Sequence, residues 1–411
     1  MSLSPDVPVV VAASAPWETP SPVNAHQVAR RLADRGHPVL FVESTGLRAP
    51  SRTAARSDLS RIGARLAGFF RGVRQVSSRL HVLSPLALPG AGPPALRRRS
   101  LGWIAAQTGR AAARLGLSRP ILWAFLPTAI EMPDRLRSRL CVYHCVDHYA
   151  ANPGVDPEWI GALEARMLRR ADVVFATSPV LADRLGAMRR DVVSVPNVAD
   201  VTLFSRALED ELPEPGELAG LSHPRLVYVG NLAAYRVDFE LLLAAAREVP
   251  GVTLVLIGGR GLGDVTGASE SERALVGRDN VRVIGPRPQE ALPAYLRHCD
   301  AALIPFLDNE HTQSSLPLKL WEYLAAGLPV VARQLPGLER EAGDLLHLAG
   351  DPASFVGAVK AALAEPAERR RERSARARSH DWSARMDRLC GTVGAALEAT
   401  GSSSQREGTP L

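Results

Sequence analysis

Short, wholly apolar runs alternate with amphipathic stretches along this chain. Val7–Ala13 carries no polar side chain, as expected of a strand covered on both faces of a parallel sheet. Asn24–Arg35 sets Ala25, Val28, Ala29 and Leu32 at helical spacing and stops at Gly36; Pro38–Val42 is the next strand. Strand, helix, strand predicts a βαβ unit, and hence an α/β fold with a parallel sheet. The alternation goes on with a helix over Leu96–Leu115, strands at Ile121–Phe125 and Leu140–Val146, and a helix over Glu158–Arg170. A strand at Val173–Ala176, a helix over Pro179–Leu185 and a strand at Val192–Val195 follow.

Asp200–Pro224 is rich in acids, Pro and Gly and reads as a connection. A second series then begins. Strands are predicted at Leu226–Val229, Thr253–Ile257, Val281–Ile284, Ala301–Ile304 and Val330–Ala332. Helices are predicted over Asp238–Glu248, Pro317–Ala326, Ser354–Ala364, Glu365–Arg378 and Trp382–Leu397. At roughly 100–200 residues per domain, 411 residues fit two domains. The expected layout is a Rossmann-like domain over 1–200, a linker over 201–224 and a second Rossmann-like domain over 225–378. A helix over 379–398 crosses back to the first domain, and 399–411 is a disordered tail. Two such domains imply a ligand cleft facing the carboxyl ends of their strands.

Composition narrows the class. The chain is 46% hydrophobic and 22% charged, which excludes a disordered, collagenous or disulfide-stapled protein. No apolar run reaches about 18 residues, so no transmembrane helix is expected. The first 14 residues lack a secretory pattern. Cys141, Cys145, Cys299 and Cys390 have no metal-ligand or disulfide spacing, which fits a reducing cytoplasm.

Charge is distributed unevenly. From Ser51 to Arg114 there are twelve Arg and one acid, Asp58, in a chain whose net charge is +6. Within it, Leu59–Val76 has apolar residues at helical spacing with Arg61, Arg65, Arg71 and Arg74 between them. It is either a solvated helix packed on the first domain or a contact for an anionic membrane face or acceptor. Aromatics are too few to suggest nucleic acid. The second skew is chemical: of 49 basic residues only Lys319 and Lys360 are lysines. Either they are chance survivors, or an ammonium suits those positions better than a guanidinium.

Lys319 lies in the most informative stretch, from Ser314 to Val331. Pro317 opens the predicted helix and Gly327 closes it. A lysine in a first turn opposes the helix dipole, a cost that makes sense beside a phosphate. Glu322 follows one turn later on the same side and could chelate a ribose diol. A plain Lys/Glu surface pair is the alternative. This stretch resembles the nucleotide-sugar motif of retaining GT-B glycosyltransferases, family four ("glycosyl transferases group 1"). There a Glu-x7-Glu motif precedes an Ala/Cys-Gly-x-Pro-Val-Val run. Glu322 falls on the second Glu; the first Glu position holds Ser314. The resemblance covers most of Arg225–Leu397.

The resemblance implies a GT-B fold of two Rossmann-like domains, the acceptor bound by the first and the donor by the second. It implies transfer from a nucleoside-diphosphate sugar to an acceptor hydroxyl with retention, and no metal or other cofactor. Val227–Leu232, with Gly230 and Asn231, resembles the turn facing the diphosphate. Arg236 and Lys319 would supply positive charge there, although Arg236 could instead pair with Asp238. Val281–Gly285, with Ile284, resembles the base-binding strand and loop. Ser314, Ser315 and Leu316 complete the expected donor site with Lys319 and Glu322. In the first domain, Asp147 and His148 stand where the family places His, or His-Asp, near the reacting sugar. Asp147 would orient the acceptor hydroxyl or cap the next turn; His144 is expected in the core. Trp17, Glu18 and Asn24, around the first loop, are the remaining acceptor candidates. The Arg-rich stretch favours an anionic or lipid-linked acceptor.

Gly259–Gly263 lacks dinucleotide-fingerprint spacing, and the chain has no Asp-x-Asp. With the first Glu missing, a sugar-nucleotide epimerase or hydrolase of the same fold stays open. So does a partner protein that has lost the chemistry.

Overall fold

The computed structural model describes residues 3–19, 22–44, 72–87, 94–209, 211–259 and 269–406, with side chains described up to 400. Two compact units are present. The first comprises Met1–Thr177, Leu181–Val195 and Met386–Leu411, and the second comprises Ser178–Val180 and Pro196–Arg385.

The first unit is built on eight strands: β1 (Val9–Ala12), β2 (Val39–Val42), β3 (Val73–Ser77), β4 (Leu80–Leu83), β5 (Ile121–Ala124), β6 (Leu140–Cys145), β7 (Val173–Ala176) and β8 (Val192–Ser194). Their order is β3-β4-β2-β1-β5-β6-β7-β8. All neighbours are parallel except β3, which runs antiparallel to β4. β1 sits between β2 and β5, with Val9 level with Val39 and Ile121. It is fully buried, which is why its sequence shows no polar alternation. The helix Asn24–Asp34 buries Ala25, Val28, Ala29 and Leu32, as its spacing predicts.

The second unit has six parallel strands: β9 (Arg225–Val229), β10 (Thr253–Ile257), β11 (Val281–Ile284), β12 (Ala301–Ile304), β13 (Val330–Arg333) and β14 (Leu346–Ala349). Their order is β11-β10-β9-β12-β13-β14. This is the doubly wound order in which the chain reverses direction between its first and fourth strands. The reversal falls between β9 and β12, and a ligand is expected beyond their carboxyl ends.

Three expectations need correction. The end of the expected helix Leu59–Val76 is a strand: Val73–Ser77 forms β3, half-exposed to exposed on the sheet edge. Residues 59–71 of that segment lie outside the described residues, as do all of 51–57 and, apart from Gly259, 259–263. Asp200–Pro224 is not a bare linker. It contains the helix Val201–Glu209, and Phe204, Ala207 and Leu218 are buried in the second unit's core. The closing helix runs from Trp382 to Arg406, past the expected start of a disordered tail at 399.

Candidate functional site

β9 ends at Gly230 and β10 at Gly258, both with positive φ, +140° and +145°. A Cβ on Gly258 would lie 2.0 Å from the Gly230 carbonyl oxygen, so no side chain fits there. Hydrogen bonds hold the two turns together: Gly230 N–H donates to Ile257 (2.8 Å), Gly258 N–H to Ile284 (2.9 Å) and Leu232 N–H to Gly259 (3.0 Å). The Tyr228 hydroxyl donates to the Asn231 carbonyl at 2.8 Å, and Val229 N–H donates to the Tyr323 hydroxyl at 2.7 Å. The second bond ties the turn to the helix Lys319–Ala325.

That helix packs Leu320, Trp321, Tyr323, Leu324 and Ala325 inward, leaving Lys319 and Glu322 partly accessible. The Lys319 ammonium sits 3.9 Å from the centre of the Tyr228 ring and 5.3 Å from that of Phe306. Nζ lies 2.6 Å from where a Cβ on Gly230 would be, so the glycine makes room for it. Among the described residues its side chain makes no hydrogen bond or ion pair, and ring faces are its contacts. Ring faces attract a cation by about 2 kcal/mol when desolvated, well short of a paired carboxylate. Burial and the nearby Arg236 charge therefore push Lys319 well below the ordinary lysine range, with Glu322 pulling weakly the other way. Burial likewise raises the Glu322 carboxyl to about 7, against the charge of Lys319 and a 3.2 Å hydrogen bond from the Gln289 amide.

Arg236 reaches the same place from the segment after β9. Leu307 N–H donates to its carbonyl at 2.9 Å, and Val237 pairs with Phe306, so this segment lies against the end of β12. The guanidinium lies 5.6 Å from the centre of the Phe306 ring and donates to His311 Nε2 at 2.7 Å. The alternative partner, Asp238, is engaged elsewhere. It caps the helix Phe239–Glu248 and pairs with Arg333 at 3.3 Å.

The structure thus brings Gly230, Asn231, Arg236, Lys319 and Glu322 to one strand-end cluster. Asn231 Oδ1 is buried there with no hydrogen-bond partner among the described residues. Four other expected donor residues are placed differently. Ser314 is 4% exposed, and its hydroxyl bonds back to the His311 carbonyl at 3.1 Å. The Ser315 hydroxyl does the same at 3.0 Å. The Ser314 carbonyl accepts from the Ser178 hydroxyl at 2.6 Å, and the Leu316 carbonyl accepts from the Asn197 amide. Leu316 and Ile284 are core side chains. Gln289 and His311 were not legible as site residues, because each matters through a partner far away in sequence.

In the first unit, Asp147 follows β6 and its carboxylate accepts from His148 N–H at 3.0 Å. This bond reaches only the next residue, and the turn Tyr149–Ala151 that follows has no side-chain cap. His144 is core, stacked on Phe125 at 4.8 Å and accepting from the Trp123 indole at 3.2 Å. Trp17 is 8% exposed and packs edge-on against Phe41, while Glu18 pairs with Arg74 at 2.7 Å on the surface. Asn24 is buried at the start of the first helix. Packing and surface pairing, rather than an open acceptor site, account for Trp17 and Glu18. Glu164 is held by Arg184 through both carboxylate oxygens (2.6 and 3.0 Å) and by the Tyr143 hydroxyl at 2.8 Å.

No group of three or more His, Cys, Asp or Glu is placed to hold a metal among the described residues. Among them, too, no helix is long and apolar enough to cross a membrane.

Two α/β units, the second wound about a glycine turn beside a lysine and a glutamate, have the GT-B fold of glycosyltransferases. Solved structures agree on that fold. Sucrose-phosphate synthase from Thermosynechococcus elongatus superposes with a TM-score of 0.66 at 19% identity, covering 96% of this chain and 99% of that one. Anabaena HepE, solved with UDP and glucose, gives 0.65 at 16% identity, covering 94% and 99%. Residues 223–365 match the model of the family described as glycosyl transferases group 1. A Bacillus subtilis protein named as a teichuronic acid biosynthesis glycosyltransferase, TuaH, is 29% identical over 232 residues, which is 54% of this chain and 57% of that protein. A D-inositol 3-phosphate glycosyltransferase of Geodermatophilus obscurus is 29% identical over 246 residues, 55% of this chain and 52% of that protein. Each match therefore spans just over half of the relative's length.

Proposed function

We propose that this protein transfers a sugar from a nucleoside-diphosphate sugar to an acceptor hydroxyl, with retention and without a metal. The observation that carries the reading is the Lys319 ammonium. It rests, half-buried, against aromatic rings, has no carboxylate in ion-pair contact among the described residues, and stands beside the Gly230 turn one helical turn from Glu322. A cation held in that way is stabilised by an arriving anion. The group 1 domain and the UDP-bound relative of the same fold make a diphosphate the natural one.

In this reading the backbone of Gly230 and Asn231 approaches the diphosphate, because neither turn glycine has a side chain to keep it away. Lys319 and Arg236 neutralise the charge that grows on the leaving diphosphate as the sugar bond breaks. They do the work that a divalent ion does elsewhere. Glu322 accepts from the ribose hydroxyls. Its carboxyl, raised to about 7 in the free protein, ionises more readily once two donors face it. Asp147 in the first unit assists the acceptor. The acceptor is an anionic or lipid-linked molecule, in keeping with the Arg-rich stretch from Ser51 to Arg114. The reaction takes place in the cytoplasm, with 59–76 as the contact to a membrane face.

One observation favours a second reading. Where the family has its first Glu, this chain has a serine whose hydroxyl is bonded to its own backbone. A donor sugar not gripped there fits a sugar-nucleotide hydrolase or epimerase, or a partner that binds nucleotide without turnover. Product analysis separates the readings: free sugar or an epimer from donor alone supports a hydrolase or epimerase, sugar transfer only when acceptor is added supports the first reading, and no turnover in either case supports the partner.

The direct test is calorimetric titration with UDP, dTDP, GDP and ADP. At least one should bind, and Glu322→Ala should weaken it about tenfold or more, roughly 1.4 kcal/mol. Unchanged affinity in the variant would remove Glu322 from the site.

A further inference from the structure

We infer that His311 is the positioning residue for Arg236, and that it takes over in this chain the fixing of the diphosphate end of the site. The inference rests on the donor-site reading above. A guanidinium has donors only, so the 2.7 Å contact requires His311 Nε2 to be an acceptor, with the ring neutral and its proton on Nδ1. The ring is 3% exposed and lies edge-on to Tyr235 at 5.6 Å. Its backbone is fixed as well: the Ser314 and Ser315 hydroxyls both donate to the His311 carbonyl. Ser314 is the residue that replaces the family's first Glu. At this position the Ser314 hydroxyl bonds back to the preceding turn and anchors the carbonyl of the histidine that holds Arg236. Flanked by Phe306 on one side and His311 on the other, the guanidinium has few orientations open to it. An arginine fixed before the ligand arrives loses less freedom on binding, which is the usual source of such an advantage.

The test is a double-mutant cycle on the full chain. Its readout is the dissociation constant of whichever of UDP, dTDP, GDP and ADP binds tightest, and of the matching nucleoside. His311→Leu should weaken the diphosphate about tenfold and leave the nucleoside within twofold. His311→Gln, which keeps an acceptor near the Nε2 position, should recover to within about threefold of wild type. In the Arg236→Ala background, His311→Leu should add no further loss. If His311→Leu does not fold, His311→Phe takes its place in the cycle. The inference is overturned if the His311 loss persists in the Arg236→Ala background, if the nucleoside weakens equally, or if His311→Leu binds like wild type. Arg236→Ala without effect, or no binding by any of the four nucleotides, would overturn the donor-site reading and this inference with it. A loss confined to Arg236→Ala would overturn this inference alone.

Discussion

Each unit holds a pair of oppositely charged side chains at least partly withdrawn from solvent, and the two pairs are built in opposite ways. In the first unit, Glu164 is gripped by both arms of Arg184 and by the Tyr143 hydroxyl, so each carboxylate oxygen has a partner. In the second unit, Lys319 and Glu322 share a helix face, yet the ammonium rests on rings and the carboxylate has one hydrogen bond from Gln289. Burying a charge is costly unless its partners are supplied. The first pair has its partners within the fold and serves structure. The second pair has been left short, and the shortfall is what a ligand with a diphosphate and a diol can make good.

The largest expected effect breaks the first pair. Arg184→Met leaves Glu164 buried without its bidentate partner and should destabilise the protein by about 3–5 kcal/mol, read by chemical unfolding, with nucleotide affinity little changed. A loss below about 1 kcal/mol would mean that the Arg184–Glu164 pair does not hold the fold together.

The second expected effect concerns pH. The Glu322 carboxyl titrates near 7 in the folded chain and near 4.5 when unfolded, so between those values the folded state holds the extra proton. Stability from this group is therefore highest below about 4.5, falls as pH rises toward 7, and is flat above. Comparing wild type with Glu322→Gln from pH 5 to 8, without nucleotide, isolates that term. Wild type should lose roughly 1–2 kcal/mol relative to the variant, after allowing for remaining solvent contact. A difference that does not change with pH would show an ordinary, solvated carboxylate.

The smallest effect is expected at Ser314. Its hydroxyl bonds only to nearby backbone, so Ser314→Ala should cost about 1 kcal/mol of stability at most. Nucleotide affinity should fall less than in His311→Leu. A larger loss than at His311 would mean that the hydroxyl meets the ligand directly.

The same contrast explains what could be read in the sequence. Strands covered on both faces, such as β1 and β12, are wholly apolar and announce themselves. β3 does not, since an exposed edge strand of Val, Arg, Gln and Ser carries no such pattern, and Val73 and Val76 continued the helical spacing of apolar residues that begins at Leu59. Asp200–Pro224 looked like a linker because its buried residues, Phe204, Ala207 and Leu218, are few among acids and prolines. Lys319 and Glu322 were legible because three residues along a helix fixes a common side. The pairing of Arg236 with His311 joins residues 75 positions apart, and the inward turn of Ser314 is a rotamer; neither leaves a trace in spacing. Trp17 misled for a related reason: its loop follows a strand end, but the ring packs on Phe41 inside.

One comparison tests the central claim, that the second pair is left unsatisfied for a ligand. Lys319→Met and Arg184→Met should be measured side by side for unfolding free energy and nucleoside-diphosphate affinity. Lys319→Met should be as stable as wild type or about 1 kcal/mol more stable, because it removes a half-buried cation without an ion-pair partner among the described residues, and should bind nucleotide about 100-fold more weakly. If Lys319→Met instead unfolds as readily as Arg184→Met while its folded fraction still binds nucleotide, the lysine is part of the scaffold and the account is wrong.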